Sequence, residues 1–329
     1  LAKYRDELAV LSMCGRPLLP VLNFVSGSQH REQEWRDTLA RLGLHALVCF
    51  DSVAPPLDGE RRLYDSLALL LEKARPQLQR LIDDHQTQRQ LRRSSGARLI
   101  AELLLDCAAC RRSVATQSEL EQGAIRDLHQ AIRQREQRCV EALLRLYAFR
   151  QDDAHATDLP LLDGRWGDDL FNPETLKQLG LNLGGGMAAG AATGLGVDLL
   201  VGGITLGAAA ALGALIGGSA QTLRTYGSRL KDKLKGQREL TVDDAVLRLL
   251  TLRQQLLLQA LEARGHAAVA AIKMSLPHDP SWREGSLPDA LRKARAHPEW
   301  SSLNPGAALE DSERQEQINA LAASLLIQS

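Results

Sequence analysis

Residues 183–218 are the part of the chain that most restricts its fold. They read LGGGMAAGAATGLGVDLLVGGITLGAAAALGALIGG and contain one ionisable residue, Asp198, whereas 24% of the 329-residue chain is charged. A glycine in a helix costs about 1 kcal/mol relative to alanine, so repeated glycines at GxxxG spacing are typical of helices that approach each other closely. We predict two helices, at about 182–196 and 199–218, that fold back on each other with Asp198 in the turn. The glycines expected to form the contact are Gly186, Gly190, Gly194, Gly203, Gly207, Gly213 and Gly217.

The length and the flanks of this predicted hairpin favour a membrane. Each helix would be roughly 22 to 30 Å long, which is at the short end for crossing a hydrocarbon core of about 30 Å. Lys177 precedes the hairpin and a basic stretch follows it, so both ends would stay on the cytoplasmic side and attract anionic headgroups. The lipid-facing basic residues are Arg224, Arg229, Lys231, Lys233 and Lys235.

The same pattern has a second interpretation, because alanine and glycine are only mildly hydrophobic. A closely packed hairpin covered by the long helices on either side would suit a soluble, cytoplasmic protein. A partner helix, or a second copy of the chain in a homo-oligomer, would then replace lipid as the neighbour of the glycines. The residues alone leave both interpretations open.

The composition limits the other classes of function. Lys plus Arg equals Asp plus Glu, at 40 each, so no overall field indicates a nucleic-acid partner. Leu and Ala supply most of the apolar residues, which favours helices. Five cysteines, an odd number, form no disulfide framework and suit a reducing compartment.

The N-terminal region alternates between helical and strand patterns. Short apolar runs at 17–25 and 45–56 are typical of buried strands, and helical patterns at 1–14, 28–43 and 59–74 surround them. A helix between consecutive strands implies parallel pairing in an α/β layer. Two strands do not make a stable sheet, so we expect the sheet to need further strands.

Helix dominates the rest of the chain. Two long antiparallel helices are predicted at 77–113 and 118–149, Thr241 is the predicted N-cap of a helix that runs to about Arg264, and a last amphipathic helix is predicted at about 309–326. The fold class is therefore mostly α with a small α/β N-terminal part. The predicted units are residues 1–74 (α/β), 75–150 (long helices), 151–178 (linker), 179–240 (Gly/Ala hairpin and basic flank) and 241–329 (C-terminal helices).

No complete catalytic or metal site is visible in the sequence. The glycine-rich stretch lacks the Lys of a phosphate-binding loop, and no strand precedes it. Cys107 and Cys110 share one helix face without a second pair of zinc ligands, so we expect buried small residues. Four potential cation ligands in the linker are expected to be solvated, because no ordering motif surrounds them. They are Asp152, Asp153, His155 and Asp158.

Two stretches near the N-terminus resemble a known family. CGRPLLPVLNFV (14–25) and REQEWRDTLARLGLHALVCFDSVAPPLDGERRLYDSLALLL (31–71) resemble the second half of an Era-like GTPase domain. More narrowly, the whole chain, including GVDLL (196–200) and LPDALRKARAHPEWSSLN (287–304), is similar to bacterial GTPases with a C-terminal helical domain of unknown function, catalogued under number 3482. The resemblance implies a partial P-loop GTPase-like parallel sheet whose N-terminal part this chain lacks, with GTP and Mg²⁺ as cofactors of the complete protein.

The resemblance also implies where a guanine base would be bound. The NKxD motif corresponds to residues 23–26, where Asn23 matches and Ser26 replaces the Asp that accepts two hydrogen bonds from guanine. The second base-proximal loop corresponds to Asp51 and Ser52. The alternative for these positions is loop residues that hydrogen-bond their own backbone. Because the phosphate-binding and magnesium motifs are absent, we do not expect this chain alone to hydrolyse GTP, and its enzyme class stays open.

These observations lead to one hypothesis and two alternatives. The hypothesis is a GTP-binding regulatory protein on the cytoplasmic face of the bacterial inner membrane, in which a GTPase-like head biases the glycine-rich hairpin. The first alternative is a soluble helical scaffold or oligomerisation module with the hairpin buried at an interface. The second alternative is a pore-forming effector, against which the resemblance argues.

Overall fold

The computed structural model describes most of the chain outside the glycine- and alanine-rich region. The described residues are 4–23, 31–50, 58–115, 118–148, 166–167, 169–172, 197–200, 237–263 and 287–327. All structural statements below concern these residues.

The N-terminal part contains a pair of parallel strands flanked by helices. Its elements are α1 (Arg5–Met13), β1 (Val21–Leu22), α2 (Glu32–Arg41), β2 (Val48–Cys49) and α3 (Gly59–Leu70). Val21 pairs with Val48 in parallel register. The parallel α/β pairing predicted from the order of elements is therefore confirmed, although the described strands are only two residues long.

A single long helix, α4 (Arg75–Ala109), links this α/β part to the helical core. A helix of 35 residues is about 52 Å long. Its first half is mostly exposed: from residue 75 to residue 95, Ile82 is the one buried residue. From Gly96 onward most of its side chains are buried, and they lie at the centre of the core.

The second long helix, α5 (Ser118–Leu146), packs against α4. The connection between them is a strand, β3 (Arg111–Ala115), where the sequence pattern predicts the end of one helix and a short turn. Backbone pairing explains the difference, because β3 forms an antiparallel ladder with β5 (Gln237–Val242). Thr241 lies in β5 and is therefore not the N-cap of the following helix.

Asp198 also lies in a strand rather than in a turn between two helices. β4 (Val197–Leu200) pairs antiparallel with β5, with Asp198 opposite Thr241 and Leu200 opposite Glu239. The strand order of this second sheet is β3-β5-β4. The glycine spacing shows no sign of this pairing, because the partner strand is about 40 residues further along the chain.

The C-terminal part completes the core with α6 (Asp244–Ala263), α7 (Asp289–Ala294) and α8 (Ser312–Ile327). Asp243 is the N-cap of α6, because its Oδ1 accepts a hydrogen bond from the Ala245 amide at 2.7 Å. Trp300 is buried in the loop between α7 and α8. The described residues are thus mostly helical with two small sheets, as the predicted fold class requires at this coarse level.

The predicted linker is not entirely solvent-exposed. Within its described residues, Leu170 and Phe171 are buried in the main core. The polar composition of residues 151–178 concealed this short apolar pair. The cation ligands predicted to be solvated, from Asp152 to Asp158, lie outside the described residues.

Candidate functional site

Of the predicted base-proximal residues, one is described. Asn23 follows β1 directly and is exposed. Because β1 and β2 are parallel, Asn23 and Phe50 lie at the same, carboxyl edge of the strand pair, which is where α/β sheets bind ligands. Ser26, Asp51 and Ser52 lie outside the described residues.

Of the predicted hairpin, Asp198 and the first two residues of the predicted second helix, Leu199 and Leu200, are described, and all three lie in β4 rather than in a turn or a helix. The remaining predicted residues lie outside the described part of the chain. They are Gly186, Gly190, Gly194, Gly203, Gly207, Gly213, Gly217, Arg224, Arg229, Lys231, Lys233 and Lys235.

The two ends of residues 201–236 meet at one place in the fold. β4 ends at Leu200, β5 begins at Gln237, and the antiparallel ladder sets Leu200 opposite Glu239. Leu200 and Gln237, the described residues on either side of 201–236, therefore lie at the same end of the three-stranded sheet. We take the described residues around these attachment points as the candidate functional site.

Arginine side chains fix the sheet to the C-terminal helices, mostly at the end of the sheet opposite to Leu200 and Gln237. The Arg111 guanidinium on β3 binds Glu239 on β5 at 2.7 Å and donates to the Arg295 carbonyl oxygen. Arg295 in turn donates to the Val242 carbonyl oxygen at 3.0 Å and pairs with Asp244. Half-buried charge pairs with several hydrogen bonds hold geometry better than exposed single pairs.

A buried carboxylate at the end of α4 lies at the centre of a second polar cluster. Asp106 is 2% exposed. It accepts hydrogen bonds from Arg135 Nε at 2.6 Å, from Arg314 Nη2 at 3.3 Å and from Ser302, whose amide and hydroxyl donate at 3.0 and 2.9 Å. Both carboxylate oxygens are thus engaged within the protein, so this cluster stabilises the fold and leaves no group poised for chemistry.

A short segment before the glycine-rich region is bound to α5 and α6. We call Trp166, Asp169, Leu170 and Phe171 the strap residues. Leu170 and Phe171 are buried, and Asp169 accepts two hydrogen bonds from Arg133, at 3.0 Å from Nε and 2.9 Å from Nη2.

Aromatic contacts with α5 also stabilise the position of the strap. The Phe171 ring stacks on His129 with centroids 3.7 Å apart, and Arg133 Cζ lies 5.0 Å from the Phe171 centroid. Partial burial acts to raise the pKa of Asp169, but the hydrogen bond and charge of Arg133 outweigh it, so the pKa lies below its usual value.

Beneath the strap lies a buried ion pair between α5 and α6. Arg253 Nη1 is 3.6 Å from Glu136 Oε1, and the Gln254 amide nitrogen is 3.3 Å from the same oxygen. The Arg253 guanidinium also lies 5.3 Å from the Trp166 ring centroid. Burial raises the pKa of Glu136, although Arg253 and Gln254 act in the opposite direction.

Sequence reasoning missed the strap and this ion pair. The one available signal was the run of Arg253, Gln254 and Gln255 inside the leucine-rich sequence of α6. Polar residues flanked by leucines on both sides in a helix predict a buried polar contact. Their partners could not be inferred, because Glu136 and Trp166 are distant in the sequence.

The described residues offer no metal site, and the three cysteines of the helical core are poorly placed for thiol chemistry. No group of three His, Cys, Asp or Glu side chains in the described part of the chain is placed to hold a metal ion. Cys107, Cys110 and Cys139 are buried, as expected for the first two. Burial raises the pKa of Cys110 to about 11 and that of Cys139 to about 12, so these thiols are protonated near neutral pH and are poor nucleophiles.

None of the helices α1–α8 combines the length and the apolar character that a membrane span requires. This finding covers only the described residues and does not test the predicted hairpin.

Comparison with known proteins identifies a family without assigning an activity. The sequence profile of a family described as a domain of unknown function, DUF3482, matches residues 36–323. No curated protein and no solved structure gives a significant match. Because the profile covers most of the chain, including the long helices, the three-stranded sheet and the strap, the chain belongs to the DUF3482 family.

Proposed function

We propose that this chain is the output part of a GTP-regulated, membrane-associated protein, in which the α/β part controls a glycine-rich segment carried by the helical core. The observation that carries the proposal is α4, one uninterrupted helix shared by both parts. The membrane and nucleotide components come from the sequence pattern and the family resemblance.

The N-terminal half of α4 contacts the α/β part through α3. His85 Nδ1 on α4 lies 3.2 Å from Glu60 Oε2 on α3, and the His85 ring meets the Tyr64 ring edge-on at 5.7 Å. Apart from Ile82, this half of α4 has no buried side chain before Gly96, so it spans the distance between two folded parts as a largely solvated helix. A change in the α/β part would therefore reach the core along a rigid element.

The C-terminal half of α4 lies against β5, in the sheet that holds Leu200 and Gln237, the described residues on either side of 201–236. Because β4 and β5 are paired, both ends of that segment are held together at the core. The uncharged stretch would contact inner-membrane lipid, and the basic flank at residues 224–235 would contact anionic headgroups. In the complete protein, GTP and Mg²⁺ would bind at the α/β part, with Asn23 at its carboxyl edge.

Vesicle flotation tests the membrane component. We expect the full chain to float with vesicles of phosphatidylethanolamine and phosphatidylglycerol, and to float less with phosphatidylcholine or at high salt. Replacing Lys233 and Lys235 by Gln should lower the fraction bound to anionic vesicles by about tenfold or more, because each Lys near the surface contributes about 1 kcal/mol. The matched control replaces the exposed Lys73 and Lys293 by Gln, which removes the same charge elsewhere.

Two outcomes would reject the proposal. Equal flotation of the two double variants would show that the basic flank does not contact lipid. A chain that stays in the aqueous fraction, and forms a dimer that Gly190→Leu dissociates, would support the alternative that the glycines form a protein–protein interface.

A further inference from the structure

We propose that the strap residues form a conformational device that opens when the chain binds a membrane. This inference rests on the proposed membrane function and adds a mechanism to it. The last strap residue is Phe171, and the glycine-rich sequence begins roughly a dozen residues later. The strap is therefore the described segment that directly precedes the glycine-rich sequence in the chain.

The outer contacts of the strap are weak. The Arg133 and Asp169 side chains are 45% and 48% exposed, and ion pairs at this exposure are screened by water and salt. The main hold is the burial of Leu170 and Phe171 against the core. A small apolar contact of this kind opens locally at much lower cost than the whole core unfolds.

The groups beneath the strap favour the open state. Glu136 and Arg253 are 8% and 4% exposed, and a buried ion pair loses much of its hydration energy. In addition, Trp166 Nε1 and Gln254 Oε1 are buried without a hydrogen-bond partner among the described residues. Opening would hydrate all four groups, so hydration opposes the apolar burial that keeps the strap closed.

The Asp106 cluster in the same core differs from the strap because its buried polar groups are hydrogen-bonded. Its carboxylate is fully hydrogen-bonded by Arg135, Arg314 and Ser302, so opening there would break strong contacts and relieve nothing. Opening at the strap would therefore hydrate buried polar groups, which opening at the Asp106 cluster would not do.

Thiol accessibility tests the opening directly. Leu170→Cys is made in the full chain with Cys14→Ser and Cys49→Ser, and modification by a maleimide is followed over time. Cys107, Cys110 and Cys139 are internal controls, because all three are buried. In buffer the introduced thiol should react about tenfold faster than these controls, and vesicles containing phosphatidylglycerol should raise its rate by about tenfold again while leaving the controls unchanged.

A second variant is needed because Leu170→Cys itself weakens the packing. Asp169→Ala keeps the apolar contacts and removes the pairing with Arg133. It should raise the amount of protein bound to the vesicles about threefold. The matched control, Asp127→Ala, removes the same charge from an exposed position on α5 and should bind like the wild type.

The outcomes separate this inference from the proposed function. An introduced thiol that reacts in buffer as slowly as the buried controls overturns the strap, whatever the flotation result. An equal effect of Asp169→Ala and Asp127→Ala also overturns it. A wild-type chain that does not float rejects the membrane function, while fast reaction at position 170 in buffer would still support a strap that opens.

Discussion

At the scale of single residues, the buried carboxylates of Asp106 on α4 and Glu136 on α5 differ in how many hydrogen bonds they accept. Asp106 accepts four hydrogen bonds from two arginines and Ser302. Glu136 has a longer ion pair with Arg253 and one contact from Gln254. Burial therefore dominates at Glu136 and raises its pKa, whereas charge pairing raises the pKa of Arg135 beside Asp106 despite burial.

The raised pKa of Glu136 predicts how stability depends on pH. The carboxyl group of Glu136 binds its proton more tightly in the folded chain than in the unfolded chain, where the pKa of a Glu is about 4.3. As the pH rises through that value, the unfolded state ionises first, so the contribution of Glu136 to folding stability falls until the folded-state pKa is passed. Glu136→Gln should remove this loss, because its side chain does not ionise.

Urea unfolding of the wild type and Glu136→Gln at several pH values, from about 4 to about 7, would measure the effect. The free energy of unfolding of the variant, relative to the wild type, should increase with pH over this window. A relative decrease would contradict the prediction and would mean that the charge of Arg253 outweighs the burial of Glu136.

At the scale of elements, the sequence predicts helices better than strands. The patterns for α4, α5 and α8 predict helices within a few residues of their bounds, because helical periodicity is local. β3 and β5 were missed, because their stability comes from pairing Arg111 with Thr241 and its neighbours across more than 120 residues of chain. Neither strand has enough alternating apolar residues to reveal itself alone.

The contact between α4 and α6 depends on a glycine and can be tested. A Cβ at Gly96 would lie 2.6 Å from Leu258 Cδ1, so Gly96→Leu should overpack the contact and lower the free energy of unfolding by about 1 to 3 kcal/mol. The matched site is Gly123 on α5, where no atom of the described residues lies within 4 Å of the position that a Cβ would take. There Gly123→Ala should raise the free energy of unfolding by up to about 1 kcal/mol through helix propensity.

Chemical denaturation of the two glycine variants alongside the wild type would measure both effects. We expect the free energy of unfolding to fall in Gly96→Leu and to rise in Gly123→Ala. A Gly96→Leu variant as stable as the wild type would show that Leu258 moves aside freely, and the tight α4–α6 contact would then lose its importance for the core.

At the scale of the whole molecule, the candidate site could be predicted only in outline. The sequence marked the glycine-rich region and its basic flank, but the attachment points come from contacts between distant residues. Leu200 and Glu239, for example, lie opposite each other in the β4–β5 ladder. No local pattern links them, and the same holds for Trp166 in the strap and Arg253 beneath it.

Because α4 joins the α/β part to the helical core, we predict that breaking α4 in its exposed half uncouples the two parts without unfolding the core. Gln88 is exposed in the polar half of α4, and Gln88→Pro would remove the hydrogen bond to residue 84 and break the helix there. Because the buried half begins only at Gly96, the core should keep its stability. Hydrogen exchange should show lost protection near residues 84–90 and unchanged protection from Ile100 to Ala109, with Gln88→Ala as the control that preserves the helix.

The same variant tests whether α4 transmits the state of the α/β part. If it does, contacts such as His85 with Glu60 no longer constrain the core in Gln88→Pro. Any effect of GTP on vesicle binding, measured on a protein that also carries the phosphate-binding and magnesium motifs, should then disappear while binding itself persists. In Gln88→Ala the effect of GTP should remain. A nucleotide effect that survives the proline would mean that the signal reaches the glycine-rich segment by another route, and the role proposed for α4 would be wrong.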